Sequence, residues 1–282
     1  MTDQIFYYEG EWLDEAPRLT GPMDHAFWMS SSVFDGARAI NGRAPDLRPH
    51  CERLMRSAAA MLLEPKLTVD EVEELCLEAV RRLPSEKAYY IRPMFFAREG
   101  FVSPTPESTE FVLSVYESPL PSADGFSACL SSFRRPARDM APTDAKAGCL
   151  YPNGQRALRE ANNRGFDNAV ILDPSGNIAE LATANVWIVK DGVAKTPVWN
   201  GTFLNGITRQ RIIGLLRDAG QPVEETTLTP ADLLDADEIF STGNYGKVTP
   251  MVRYENRQLQ PGPVCRQARE IYFAWADQQP VA

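Results

Sequence analysis

The chain has 282 residues, 44% of them hydrophobic and 24% charged. That composition excludes an intrinsically disordered chain, which lacks the apolar surface needed to offset chain entropy. The net charge is −9, from 29 Lys and Arg against 38 Asp and Glu; this argues against non-specific binding to nucleic acid or anionic membrane, both of which reward excess cations.

The length predicts about two domains, with room for a cavity in a large core. Five cysteines (Cys51, Cys76, Cys129, Cys149, Cys265) form no CxxC, and His25 and His50 are the only histidines. A Cys/His zinc site is therefore not expected, nor any other metal. The opening MTDQIFYYEGEW has no basic or apolar leader region, so no signal peptide is expected. No apolar run approaches the ~18 residues of a membrane span. The expectation is a reduced, soluble, cytoplasmic protein.

In chain order, IFYYEGEWL reads as strand with a turn at Glu9-Gly10. The apolar stretch from Phe27 to Ile40 contains SSVFDGARAI and ends at Asn41-Gly42, a hairpin signal. Residues 49–63 read as a helix from the spacing of Leu54, Ala58 and Met61. Thr68 looks like an N-cap for a second amphipathic helix carrying Val72, Leu75, Cys76, Ala79, Val80 and Leu83. Residues 89–96 and 110–116 are β-rich.

Ser118-Pro-Leu-Pro-Ser-Ala-Asp-Gly125 is the best linker. It divides the chain into a small N-terminal domain (1–117), an interdomain loop (118–125) and a larger C-terminal domain (126–282). Beyond it, residues 126–133, 168–172 and 185–190 read as strands. Residues 152–164, 208–219 and 265–277 read as helices, the first two closed by Gly165 and Gly220. The fold class is α+β in two domains.

Several catalytic templates are absent: no HExxH, no Walker loop, no GxSxG and no GxGxxG. Among six lysines, Lys146 stands apart because Asp144-Ala-Lys-Ala-Gly148 surrounds it with small side chains. Such neighbours leave room for a bulky group beside the amine, and a desolvated amine is nucleophilic towards aldehydes. An ordinary loop lysine is the alternative. Glu180, in Ile178-Ala-Glu-Leu-Ala-Thr-Ala-Asn185, has the most apolar setting of any carboxylate. It either meets a cation, as burial would demand, or lies on the wet face of a strand or at a helix start. Gly206-Ile207-Thr208 opens a helix and could bind phosphate through free N–H groups and a hydroxyl. Ser241-Thr-Gly-Asn-Tyr-Gly246 is a second small-residue loop; either could equally be a plain cap or turn. Arg53 could supply counter-charge or lie on a helix surface.

These residues also form an ordered set: Ser32-Val-Phe-Asp-Gly-x-Arg38, His50-x-x-Arg53-Leu, Tyr90-Ile-Arg-Pro93, Ala145-Lys-Ala-x-x-x-Tyr151, Glu180-x-x-x-x-Asn185, Gly206-Ile-Thr208 and Val248-Thr-Pro250. In order and spacing the set resembles the class IV, fold-type IV pyridoxal-phosphate aminotransferases, and most closely the branched-chain amino-acid aminotransferases, over nearly the whole chain. The resemblance implies a small N-terminal α/β domain and a larger domain with a pseudo-barrel sheet. It implies that Lys146 forms the Schiff base with pyridoxal 5′-phosphate and shuttles the Cα proton. Tyr151 would hydrogen-bond the ring 3-oxygen, and Glu180 would pair with the protonated pyridine nitrogen. Arg53, Gly206, Ile207, Thr208, Gly243 and Asn244 would hold the phosphate, and Leu204 would pack on the ring. Phe34, Gly36, Arg38, Tyr90, Arg92, Asn244 and Tyr245 would shape the substrate side, with Arg38 or Arg92 serving a carboxylate.

The implied reaction moves the amino group of L-leucine, L-isoleucine or L-valine to 2-oxoglutarate, in a homodimer or larger homo-oligomer. Two departures bear on substrate: Gly243-Asn244-Tyr245 stands where the branched-chain type usually has Gly-Thr-Ala, and Met29 where a Tyr often lines the pocket. They motivate an alternative, a D-amino-acid or (R)-selective amine transaminase. A non-enzymatic binding protein on the same fold is a third possibility, which intact Lys146, Tyr151 and Glu180 oppose.

Overall fold

A computed structural model describes residues 3–282 as two compact units. Unit 1 comprises the chain up to Leu120 together with Ala145–Cys149 and Ala276–Ala282; unit 2 comprises Pro121–Asp144 and Leu150–Trp275. The division differs from the expected contiguous one in two places, for a backbone reason. Ala147 bridges Val33 and the Lys146 carbonyl accepts from the Phe34 N–H, which ties the 145–149 segment to unit 1. Val281 bridges Arg43 and the Ala282 N–H donates to Gly42, which ties the C-terminus there too. The expected loop is also shared: Ser118–Leu120 belong to unit 1, and Pro121–Gly125 to unit 2.

Unit 1 is built on a six-stranded antiparallel sheet of β1 (Gln4–Tyr8), β2 (Glu11–Leu13), β3 (Ser32–Phe34), β4 (Ala37–Ile40), β5 (Ala88–Ala97) and β6 (Thr109–Glu117). Its order is β2-β1-β6-β5-β3, with β4 also on β5. The short helix α1 (His25–Met29) precedes β3, in a stretch read as apolar without helical character. The helices α2 (Leu47–Ala60) and α3 (Val69–Arg81) bury Leu47, Cys51, Leu54 and Ala58, and Val72, Cys76, Ala79 and Val80. The Thr68 cap is a full capping box with Glu71, which satisfies two otherwise orphaned donors. The Asn41-Gly42 turn forms with both residues at positive φ, yet no hairpin follows. Ile40 and Arg43 exchange hydrogen bonds, and the chain then enters α2, so β4 pairs with the distant β5.

The register of this sheet places several candidates together. Arg38 faces Tyr90 and Phe34 faces Met94 across the ladder, while Tyr90, Arg92 and Met94 alternate along β5. Directly opposed residues share a face, as do i and i+2. Phe34, Arg38, Tyr90 and Arg92 therefore share one face; Tyr89, Ile91 and Phe95 fill the buried other.

Unit 2 carries β7 (Phe126–Arg134), β8 (Asn168–Leu172), β9 (Ile178–Leu181), β10 (Asn185–Lys190), β11 (Val193–Pro197), β12 (Val223–Thr226), β13 (Glu238–Gly243), β14 (Lys247–Tyr254) and β15 (Arg257–Gln258). The order is β12-β11-β10-β13-β14-β7-β8-β9, with β15 on β14. Ile178 and Leu181 of the terminal strand β9 share one core cluster with Val186 and Ile188 of β10 and Ile239 of β13. The sheet thus curls over its own apolar face into a half-barrel. Around it lie α4 (Pro152–Asn163), α5 (Ile207–Asp218), α6 (Pro230–Asp235) and α7 (Pro263–Ala276). Ala157 and Ala161 of α4 are small enough to sit against Cys129, Ala169 and Ile171 of the sheet. Among the described residues no helix is long and apolar enough to cross a membrane.

Candidate active site

In unit 1 the 145–149 segment runs beside β3. The Lys146 N–H donates to Ser57 Oγ at 3.0 Å, its carbonyl accepts from Phe34, and Ala145 and Ala147 are buried on either side. The backbone of this lysine is fixed from both sides. Its amine lies 4.8 Å from the centroid of the Phe34 ring. Small neighbours were the sequence signal; the clamp by β3 and α2 was not visible there.

Arg53 lies on α2 and is 9% exposed, so the helix-surface reading does not hold. Its Nε and Nη2 donate to the two carboxylate oxygens of Asp35 at 2.7 and 2.8 Å. His50, one turn earlier, adds a 2.7 Å hydrogen bond from Nδ1, since an ionised carboxylate can only accept. Asp35 also accepts from the Gly36 N–H at 2.7 Å. Burial alone would push the Asp35 carboxyl up, but the Arg53 guanidinium and the His50 imidazole outweigh it and hold the group well below the usual carboxylate range. Asp35 stood in a quoted motif without a role; a lone carboxylate between Val33-Phe34 and Gly36 was the available signal.

A Cβ at Gly36 would sit 2.1 Å from the Tyr90 hydroxyl, so any larger residue there would displace the Tyr90 ring. Arg38 is fully buried and donates to the Ser118 carbonyl and hydroxyl, so it secures the start of the linker. Arg92 lies 5.3 Å from the Tyr116 ring centroid, and Tyr116 stacks on Tyr90. Met29, at the end of α1, is 40% exposed.

In unit 2, Glu180 is the half-buried residue of β9, which settles its local structure as strand. Its carboxylate meets Arg135 Nε at 3.3 Å, with both side chains largely buried. Arg135 also donates to the Thr202 carbonyl. Arg135 is a cationic neighbour of Glu180 that sequence reasoning passed over. Tyr151 stands at the N-terminal boundary of α4, ahead of Pro152.

The helix α5 begins at Ile207 with Gly206 as N-cap and no side-chain cap. Its first amide groups are the positive end of the helix dipole, a suitable anion cradle. A Cβ at Gly206 would come 1.9 Å from Asn185 Oδ1, so a larger residue would push the Asn185 side chain aside. Asn185, on β10, donates to the Leu204 carbonyl at 3.0 Å and so fixes the chain before the helix. Arg209 locks the first turn to β11 and β12 through Thr196, Pro197 and Glu225. Thr208 is buried. Gly243 ends β13, and Asn244–Gly246 turn the chain into β14, leaving Tyr245 60% exposed.

Among the described residues no His, Cys, Asp and Glu group could hold a metal. Each unit holds groups of the kinds a phosphorylated pyridine aldehyde requires: an amine and a guanidinium in unit 1, a carboxylate and a helix start without a side-chain cap in unit 2.

The comparisons with known proteins agree. Residues 32–254 match the family model for amino-transferase class IV. The branched-chain-amino-acid aminotransferase of Pseudomonas aeruginosa is 33% identical, covering 96% of this chain and 92% of its own. A crystal structure of an aminotransferase from Brucella abortus bound to pyridoxal phosphate is 47% identical, covers 98% of this chain and 100% of its own, and superposes with a TM-score of 0.96. A branched-chain aminotransferase from Thermoproteus uzoniensis, solved with norvaline, is 30% identical over 98% of this chain and 95% of its own, with a TM-score of 0.90. The chain belongs to the class IV aminotransferases and is a pyridoxal-phosphate-dependent transaminase of the branched-chain type.

Proposed function

We propose that this transaminase moves the amino group of L-leucine, L-isoleucine or L-valine to 2-oxoglutarate, with Lys146 attaching the cofactor and carrying the Cα proton. The observation that carries the reading is the setting of Lys146, whose backbone is clamped to Phe34 and Ser57 while its amine lies on the Phe34 ring. Bound pyridoxal phosphate supplies an electron sink for the electrons of the Cα–H bond. The Lys146 amine then serves as general base at Cα and returns the proton. Glu180 keeps the ring nitrogen protonated by favouring its charged form. Tyr151 donates to the ring 3-oxygen and Leu204 covers the ring. Arg53, Gly206, Ile207, Thr208, Gly243 and Asn244 hold the phosphate.

On the substrate side, Phe34, Gly36, Tyr90, Asn244 and Tyr245 shape the pocket. Arg92 is the stronger candidate for a carboxylate, because the Arg38 guanidinium is turned onto Ser118. The norvaline in the Thermoproteus uzoniensis structure supports an aliphatic amino donor. Replacing Lys146 with Ala abolishes turnover; multiple turnover with free cofactor and no added amine would sink the assignment. The Gly243-Asn244-Tyr245 loop and Met29 favour a second reading, a D-amino-acid or (R)-amine transaminase. Activity on D-alanine or an (R)-arylalkylamine well above that on L-leucine selects it.

The proposal includes a homodimer or larger homo-oligomer in a reducing, cytoplasmic setting, consistent with five free cysteines. Met23, Phe27 and Phe101 of unit 1 are 85%, 64% and 79% exposed, and the Trp28 ring lies 5.9 Å from Phe101. An apolar patch of this kind marks a contact surface, here for a second copy of the chain. Sedimentation of a fully active single chain would contradict it.

A further inference from the structure

Lys247 combines two costly features. It is a lysine with 1% exposure, and its backbone φ is +60°. Burying an ammonium is unfavourable without partners, and an L side chain at positive φ is strained. Features of this kind persist only where the surroundings over-determine them. Here they do. The ammonium donates to Asn244 Oδ1 at 2.8 Å and lies 5.4 Å from the Tyr272 ring centroid on α7. Arg269, one turn earlier on α7, donates to the carbonyls of Gly246 and Val248 at 3.3 and 2.7 Å. The helix therefore pins the chain on both sides of Lys247.

An ammonium has donors and no acceptor. It therefore fixes which way the Asn244 amide points: the oxygen faces Lys247, and the NH₂ group faces the other way. We propose that Lys247 is a positioning residue that sets Asn244 Nδ2 as a donor to a ligand oxyanion, either the cofactor phosphate or the α-carboxylate of the amino substrate. Its buried positive charge adds attraction for that anion. The inference rests on the transaminase reading of this loop and explains why an asparagine and a lysine three residues apart occur together in it.

The test compares wild-type holoenzyme with Lys247→Met and Asn244→Asp. The aspartate keeps a partner for the buried ammonium and so protects the fold, but it presents an acceptor where the donor stood. The phosphate arm measures the dissociation constants of pyridoxal phosphate and of pyridoxal, which lacks the phosphate. The carboxylate arm titrates holoenzyme with 4-methylpentanoate and with its neutral amide, followed by the cofactor absorbance. The expected result is a loss of about tenfold or more in the anionic member of one pair, the size of a lost hydrogen bond to a charged group, with the neutral member unchanged. Asn244→Asp shows the larger loss. If the carboxylate is the partner, KM for L-leucine rises in Lys247→Met while kcat of the fully loaded enzyme holds; a merely structural role would lower kcat as well. Wild-type affinity for both anions in both variants overturns the inference, and Asn244→Asp decides alone if Lys247→Met does not fold. A wild-type protein that takes no cofactor or answers no amino donor instead fails the transaminase reading, and the inference falls with it.

Discussion

The candidate phosphate-binding groups of the two units differ in kind. In unit 1 the Arg53 guanidinium is held by the Asp35 carboxylate, which the His50 imidazole also meets, with the carboxylate completely buried. In unit 2 the corresponding candidates are backbone and small side chains: the uncapped start of α5, Gly206 beneath Asn185, and Thr208. The charged arrangement depends on residue identity, because removing one member leaves the others uncompensated in a medium that cannot solvate them. The helix-start arrangement depends on space, because its donors are main-chain groups that every residue carries. The two should therefore respond to substitution in different currencies, stability in the first and ligand affinity in the second.

The largest separation of the two comes from Asp35→Ala. It removes the bidentate partner of the Arg53 guanidinium, which should destabilise the protein by about 3–5 kcal/mol. Urea unfolding measures it, and a loss well under 1 kcal/mol would mean the triad is solvated. Asp35→Asn should cost less, because it keeps acceptor capacity. In unit 2, Gly206→Ala forces a Cβ against Asn185 Oδ1 and displaces the start of α5. It should weaken cofactor binding by about tenfold or more, as expected for loss of charge-assisted hydrogen bonds, while the unfolding midpoint moves little. A stability loss equal to that of Asp35→Ala would erase the distinction.

Acid titration sharpens the same contrast. The folded Asp35 carboxyl is held below its ordinary value of 3.8, despite burial, by Arg53 and His50. A depressed carboxyl contributes stability that is full above its unfolded value and is lost as pH falls through the folded one. Wild-type stability should therefore fall as pH drops below about 4, more steeply than in Asp35→Asn. Parallel curves would remove Asp35 from the account. The smallest effect belongs to the surface. Arg48 pairs with Asp70 and Glu73 in the open, and Arg48→Met should leave the unfolding midpoint unchanged, because exposed pairs are screened by water and salt.

Legibility in the sequence followed another division, between local signals and long-range pairing. Thr68-x-x-Glu71 gave its helix start because the capping pattern is local. The strands at 168–172 and 185–190 matched because their apolar runs are short and bounded by turn residues. The small neighbours of Lys146 and the apolar setting of Glu180 marked them as candidates, and the ordered motif set joined them to one family. The pairing of β4 with β5, the return of residues 145–149 and 276–282 to unit 1, and the Arg135 partner of Glu180 were not legible. Each depends on residues far apart in the chain, which periodicity and turn chemistry do not encode. Asn41-Gly42 illustrates the limit: the turn forms as its residues require, but what it joins is decided by tertiary pairing.

The visible absorption spectrum of the purified protein, before and after L-leucine is added, decides whether the chain is a branched-chain transaminase. Cofactor held on Lys146 should give a yellow band, which L-leucine bleaches to the shorter-wavelength band of the aminated cofactor. A yellow band that L-leucine leaves intact would contradict the branched-chain assignment and move it to D-amino acids or (R)-amines. A colourless protein that cannot be reconstituted with pyridoxal phosphate would contradict the enzymatic reading itself.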